Sequence, residues 1–330
     1  MWFDELTGFG EGSPELVRSQ LVLEGNKMTS LANGRTFQWG SLEVNTLEGF
    51  KVQAPDLNEY DSQLQVSEIV DNVQLLHLDP ANENALFQAA SQFNLLEMVG
   101  YHVTPEEGID RYAFDNTQGP ACAIACGAGT IYRNYFVPLG DQLGQTATLQ
   151  IDCLDLMGKK LNNQELLLWQ MRNGYALLNE HGLLHINSVL AKMDEAEREA
   201  FKGLLKIGLQ WDTEVTLSPN AHLVSQAYCS ALPVAYLSIE SFYWQRFASL
   251  ILEATYEATL YAALINLEKT GCNKVFLTLV GGGAFGNELY WILDALKSTL
   301  KKFRKTPLDV QVVSYGRANH QLNQMLQTLA

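Results

Sequence analysis

The sequence predicts an α/β protein of three layers, with helices on both faces of a mixed sheet, and three observations carry that expectation. Val275-Phe-Leu-Thr-Leu-Val280 is apolar or β-branched throughout and too short for a free-standing helix, the pattern of a strand buried on both faces. A glycine-dense turn, Gly281-Gly-Gly-Ala-Phe-Gly286-Asn287, follows it. Glu288 to Lys302 then places Leu289, Ile292, Leu293, Leu296 and Leu300 on one helical face. The second observation is that this strand-then-helix order recurs. Ile207–Val215, Leu223–Tyr228 and Leu308–Tyr315 read as strands, and Phe242–Leu267 reads as a long helix with apolar spacing. The third is size and composition: 330 residues, 47% hydrophobic and 10% aromatic, suffice for a full core and exclude disorder.

The remaining elements are read in chain order. Ser13-Pro14-Glu15 starts a short helix to Leu23, with proline at its first position. Asn33-Gly34 is a hairpin signal between Met28–Ala32 and Arg35–Val44, and Leu47–Gln53 adds a strand, so residues 1–70 form an N-terminal β extension. Val73–Leu78 reads as a strand running into Asp79-Pro80. Residues 82–87 start a helix, or else Leu86–Ala90 is a short buried strand. A helical insertion occupies about 155–206, with helices at Asn162–Leu178, Leu183–Met193 and Asp194–Leu205. The main domain spans 71–330.

Charge and cysteines narrow the partners. The net charge of −15 argues against nucleic acid, whose phosphates are held by clustered lysine and arginine. Five scattered cysteines, of which only Cys122 and Cys126 are close, predict neither a disulfide framework nor a zinc site. No metal or cofactor is expected. No apolar run reaches membrane-spanning length, and Met1-Trp-Phe-Asp-Glu lacks a signal-peptide pattern, so a cytoplasmic protein with no membrane partner is expected.

Strand, glycine turn and helix together can hold an anion, because glycines let the backbone approach and free N–H groups face the ligand. A bare structural turn has the same pattern. Gly286 is followed by Asn287-Glu288 rather than Lys-Ser/Thr, which excludes a standard nucleotide-triphosphate loop. Gly281, Gly283 and Gly286 satisfy G-x-G-x-x-G, yet the next strand ends in Ser314-Tyr315 without the acidic residue that takes a ribose. Gly127-Ala128-Gly129 is a second glycine loop, and two such loops flanking one cleft suit a diphosphate. Phe285 is either a core anchor or a ring stacked on ribose or base. The acidic run Glu106, Glu107, Asp110 and Asp115 precedes the 127–129 loop. It is either a solvated loop or a source of carboxylates for water activation and stabilisation of positive charge at a sugar C1. Asp115 is the strongest of these, since Asp115-Asn-Thr-Gln-Gly-Pro120 abuts the glycine segment. Asp212 and Glu214 are a weaker acidic pair, the six histidines show no ligand spacing beyond His181 and His185, and Tyr228-Cys229-Ser230 lacks a nucleophile elbow.

The strand–Gly-Gly-Gly-Ala-Phe-Gly-Asn–helix–strand segment resembles the C-terminal half of macrodomains, and Phe87-Gln-Ala-Ala-Ser-Gln-Phe-Asn94 resembles their Asn-Ala-Ala-Asn-like segment. Gln88–Glu97, Asp115–Gly129 and the 281–287 loop together are similar to divergent macrodomains related to poly(ADP-ribose) glycohydrolase. The arginine-specific (MavL-like) ADP-ribosyl hydrolases are nearest among these. The resemblance covers roughly residues 70–315. It implies a macrodomain-like fold and binding of ADP-ribose or an ADP-ribosylated protein, with removal of ADP-ribose by attack at C1 of the distal ribose. It implies diphosphate contacts from Gly281, Gly282, Gly283, Ala284, Phe285 and Gly286, with Asn287 beside them, and adenosine-side contacts from Gln92, Phe93, Asn94 and Glu97. It further implies that Gly127, Ala128 and Gly129 border the distal ribose. Thr130-Ile-Tyr-Arg-Asn134 lacks the paired glutamates of the poly(ADP-ribose) type, so Asp115, Glu107 and Asp110 are the implied catalytic acids. Without such acids the domain is a non-catalytic ADP-ribose-binding module.

Overall fold

The structure, a computed structural model, describes residues 1–329. Its centre is a seven-stranded mixed sheet. In chain order its strands are β1 (Ser41–Thr46), β2 (Gln65–Val70), β3 (Leu86–Ala90), β4 (Lys206–Glu214), β5 (Leu223–Cys229), β6 (Lys274–Leu277) and β7 (Asp309–Ser314). Their spatial order is β1-β4-β5-β3-β6-β7-β2. The five strands from β5 to β2 run parallel, and β4 is antiparallel to both of its neighbours. Side chains of β3 alternate between two helical layers. Phe87 stacks on His77 of helix α1 (Val73–Leu78), while Gln88 donates to Thr259 of the 30-residue helix α4 (Ser241–Thr270). Helices α2 (Gln118–Ala125) and α3 (Gly127–Tyr135) lie on the α1 side, and α5 (Leu289–Lys302) packs against α4 on the other. This is the expected three-layer α/β/α arrangement with a mixed sheet.

Several elements depart from the sequence reading, each for a physical reason. Val73–Leu78 and Leu47–Gln53 are helices, because Asn72 and Thr46 cap their first turns with side-chain oxygens. Short apolar runs do not distinguish helix from strand. Of the two readings of 82–90, the buried strand is the one present. The boundary at residue 70 divides no structural parts, since β1 and β2 form the two edges of the main sheet. What is separate is the three-stranded antiparallel sheet Leu21–Glu24, Lys27–Ser30 and Thr36–Gln38, which builds a second small core with Trp2, Phe3 and Tyr135. The expected strand 35–44 breaks at Gly40 (φ +80°), where a Cβ would run into the Trp211 carbonyl. In the insertion, most of 162–178 is a hairpin, Trp169–Arg172 and Tyr175–Leu178. Its turn residues Asn173 and Gly174 both have positive φ, the geometry favoured by Asn-Gly.

His77 fixes α1 to the sheet. Its Nδ1 donates to the Val73 carbonyl at 2.7 Å and its Nε2 accepts from Gln226 at 3.0 Å, so the buried ring is neutral. Burial lowers its pKa from 6.5 to about 4, against the Val73 bond that raises it and with His222 adding to the fall. A depressed folded pKa contributes stability that is complete above 6.5 and lost as pH falls towards 4, worth about 3 kcal/mol. The urea midpoint is therefore expected to fall as pH drops below 6.5, with a smaller fall in His77→Gln; identical profiles for the two proteins would show that His77 does not control this window.

Candidate functional site

All parallel strands of the sheet end on one side, and the segments that follow them enclose a cleft. Asp71 and Asn72 follow β2, Ser91 and Gln92 follow β3, Thr278–Gly283 follow β6, and Tyr315–Asn319 follow β7. The chain leaves β3 towards β4 and leaves β6 towards β7, so a crevice opens between these adjacent strands. Ligands sit at such switch points in open α/β sheets. The outer chamber encloses about 1060 Å³, and an inner recess of about 190 Å³ continues from it between the β3 and β6 ends. Asp115, Thr117, Gln118, Thr278, Leu279 and Gly283 line both spaces.

The 281–287 loop forms one wall. Gly281 (φ +77°) and Gly286 (φ +68°) hold its ends in left-handed conformations, and a Cβ at either would meet Ala231 or Ala235 at 2.6 Å. The neck is closed by Asn287, which donates its N–H to the Gly281 carbonyl at 2.9 Å and its amide to the Leu232 carbonyl at 2.8 Å. Between these ties, the N–H groups of Gly283, Ala284 and Phe285 have no partner among the described residues. Gly282, Gly283 and Ala284 are exposed at the loop tip. Consecutive free N–H groups on such a loop form an anion-binding concavity. Helix α5 begins at Leu289 with Glu288 as its N-cap, directly after the loop, as the sequence leads one to expect. Phe285 belongs to an aromatic cluster, 5.2 Å from Tyr175 and 5.7 Å from Tyr236 between ring centroids, and it lines the recess.

The opposite wall is locked by Gln118. Its amide donates to the Gln88 carbonyl at 2.8 Å and accepts from the Ala90 N–H at 3.0 Å, docking the start of α2 on the end of β3. Gly119 permits this approach, because a Cβ there would overlap the Ala90 carbonyl and the Glu97 carboxylate. Half-buried Asp115 stands at the junction of chamber and recess, and its Oδ1 accepts the Thr117 N–H at 2.9 Å. Glu97 lines the recess, is 3% exposed, and has an Oε1 without a hydrogen-bond partner among the described residues. Desolvation raises its pKa well above the carboxylate range, and Asp115 adds to the rise while Arg133 opposes it.

The structure separates the other expected residues from this cleft. Glu107 is exposed and accepts the Thr104 N–H in a capping box, and Asp110 accepts the Phe3 N–H of the N-terminal helix. Neither lines the cleft. Gly127, Ala128 and Gly129 are not a loop but the buried first turn of α3. Gly127 packs against Trp2 and Leu6, and Gly129 against Gln210 and Thr213, so these glycines serve helix packing. Phe93 is in the core, and Asn94 is fully buried with its amide bonded to Gln150. Gln92 lines the recess but spends its amide on the Met98 main chain, at 2.8 and 3.2 Å, which closes the 92–98 loop. Within that loop Leu95 has φ +65°, and its carbonyl is held by buried Arg133 at 3.1 Å. Sequence reasoning missed Asp71, Tyr175 and Tyr236. The signals were an uncalled strand Gln65–Val70, an overlooked Asn173-Gly174 hairpin turn, and, for Tyr236, none. Among the described residues no cluster of His, Cys, Asp and Glu is arranged to hold a metal, and no helix is long and apolar enough to cross a membrane.

No protein-family model matches the chain, and comparison with curated proteins finds no match. Solved structures that the chain is similar to include poly(ADP-ribose) glycohydrolases. One, from Deinococcus radiodurans in complex with ADP-ribose, has a TM-score of 0.43 and 9% identity over 88% of this chain and 96% of that one. Another, from Thermomonospora curvata with the inhibitor ADP-HPD, has a TM-score of 0.43 and 11% identity over 94% and 93%. Likeness at this level assigns no role to any residue, so roles in the cleft come from its own geometry.

Gly119→Ala is expected to push α2 off β3 and the Glu97 carboxyl, destabilising the fold by about 1–3 kcal/mol, as overpacking of a filled interior does. Urea unfolding measures this, and an unchanged midpoint would contradict the close approach.

Proposed function

We propose that the cleft binds ADP-ribose and that the protein is an ADP-ribosyl hydrolase, cleaving the glycosidic bond at C1 of the distal ribose of an ADP-ribosylated protein. The observation that carries this is that three residues with N–H groups unpartnered among the described residues, Gly283 to Phe285, line the same recess as Asp115. An anion-binding loop and a carboxylate in one recess suit a diphosphate attached to a sugar whose C1 must react. Size sets the direction of the ligand. The recess, at about 190 Å³ the smaller of the two spaces, suits the distal ribose, while the outer chamber of about 1060 Å³ has room for adenosine beside Asp71 and Tyr315. Gln92 and Glu97 then lie at the distal ribose, opposite to the adenosine-side placement that the resemblance implies.

Arginine is the proposed linkage. The recess is lined by Tyr175, Tyr236 and Phe285 and by the Asp115 carboxylate, and among the described residues no lysine or arginine lines it. Aromatic faces with acidic groups favour a guanidinium. Exposed Val99 and half-exposed Tyr236 form the outer lip through which the modified side chain would leave. Asp115 is positioned to take a proton from water attacking C1 and to stabilise the positive charge that develops there.

Calorimetric titration with ADP-ribose tests the reading. Binding is expected, and Gly283→Glu, which puts a like charge on the loop tip, should abolish it. Asp115→Asn is expected to bind ADP-ribose while losing about 10²–10⁴-fold of hydrolysis on arginine-linked substrate. No binding at millimolar ligand, or tighter binding of NAD than of ADP-ribose, would overturn the proposal. Binding without turnover of arginine-, glutamate- or serine-linked substrates would make the cleft a recognition module.

A further inference from the structure

We infer that Glu97 is the acid of the cleft, a carboxyl group held in its neutral form that gives its proton to the atom departing from C1 of the distal ribose. This rests on the hydrolase reading above.

The recess presents two carboxyls in contrasting settings. Asp115 touches solvent at the mouth and its oxygen already accepts the Thr117 N–H. Glu97 is enclosed: Oε1 is cut off from solvent with no hydrogen-bond partner among the described residues, and Oε2 lies against Gly119 at the recess wall. An ionised carboxylate in such a place would lose its hydration without replacement, which strongly favours the neutral acid. Arg133, the cation nearby among the described residues, does not rescue the ionised form. Arg133 directs its guanidinium to the Leu95 carbonyl, Thr130 and Gln210, and stacks 3.6 Å from the Tyr228 ring centroid, without bonding to Glu97. The other titratable groups around Glu97 are Asp115, Tyr112, Cys122, Tyr175 and Tyr228. Burial raises the last four, so they stay uncharged at neutral pH, and Asp115 opposes ionisation of Glu97. A neutral acid needs an acceptor for its O–H, and the recess is the space open to it.

Paired carboxyls whose surroundings push them apart divide the acid and base roles of glycoside cleavage. The bond from C1 to the departing nitrogen or oxygen breaks with both electrons going to that atom, which takes the Glu97 proton. Water adds to C1 and yields its proton to Asp115. Exchange with solvent then returns both carboxyls to their starting forms. For an arginine linkage the side chain leaves as guanidinium, so charge and protons balance.

The experiment compares the pH dependence of kcat for an arginine-linked ADP-ribosyl peptide and for an aryl glycoside of ADP-ribose, whose phenolate departs without a proton. Wild type should lose activity on the alkaline side with the peptide and keep it with the aryl substrate. Glu97→Gln should lower kcat on the peptide by about 10²–10⁴-fold, abolish the alkaline limb, and leave both ADP-ribose affinity and aryl turnover nearly unchanged. Peptide turnover within about threefold of wild type, or equal losses on both substrates, would overturn the assignment while leaving the hydrolase reading intact. If Glu97→Gln fails to fold, the wild-type profiles decide, since equal alkaline limbs on both substrates overturn the assignment. Wild type inactive on both substrates overturns the hydrolase reading and this assignment with it.

Discussion

The cleft depends on one pair of hydrogen bonds, those by which the Gln118 amide closes on the main chain of Gln88 and Ala90 at the end of β3. A parallel strand that ends inside a sheet leaves main-chain groups to satisfy, and a buried unpaired N–H or C=O is costly by about 1–3 kcal/mol. Gln118 meets this need with a side chain that also begins helix α2. The same contact brings Gly119 against Glu97 and sets Asp115, three residues earlier, at the cleft neck. Structural satisfaction of a strand end and assembly of two carboxyls are therefore one event.

The interior behind this wall is polar yet nearly complete in its bonding. Buried Arg133 ties the 92–98 loop to α3 and β4 through Leu95, Thr130 and Gln210, and holds Leu95 in a left-handed conformation. Such strain persists only where the surroundings over-determine it, as Gln92 and Arg133 do here. Glu97 is the exception in that loop, with a buried oxygen left unpaired among the described residues. A chain with net charge −15 holding a diphosphate is no contradiction. Free N–H groups on the 283–285 segment act at contact range, whereas net charge acts chiefly on how fast an anion arrives.

The strand–glycine–helix unit at 274–302 was legible because its two periodicities are unmixed and Gly281 and Gly286 sit where positive φ is required. The 127–129 segment is also glycine-rich but for a different cause, close approach of a helix to Trp2 and Gln210, which has no local signature. Val73–Leu78 and Leu47–Gln53 were misread because a short apolar run fits either a helix or a strand, and the capping oxygens of Asn72 and Thr46 decided it. Glu107 and Asp110 were drawn to the site by the resemblance and by an acidic run that precedes the 127–129 glycines in sequence. The fold turns them instead to a cap and to the N-terminal helix.

The sequence by itself determined the layered α/β class, the glycine loop and the candidacy of Asp115, because each is written in local periodicity or in the backbone freedom of particular residues. Only the tertiary structure decided that β3 and β6 are neighbours, that Tyr175 and Tyr236 join Phe285, and that Glu97 is enclosed beside Asp115. These groups are far apart in the chain. Their meeting, and the exclusion of water that sets the state of Glu97, follow from sheet order and burial, which no short stretch of sequence encodes.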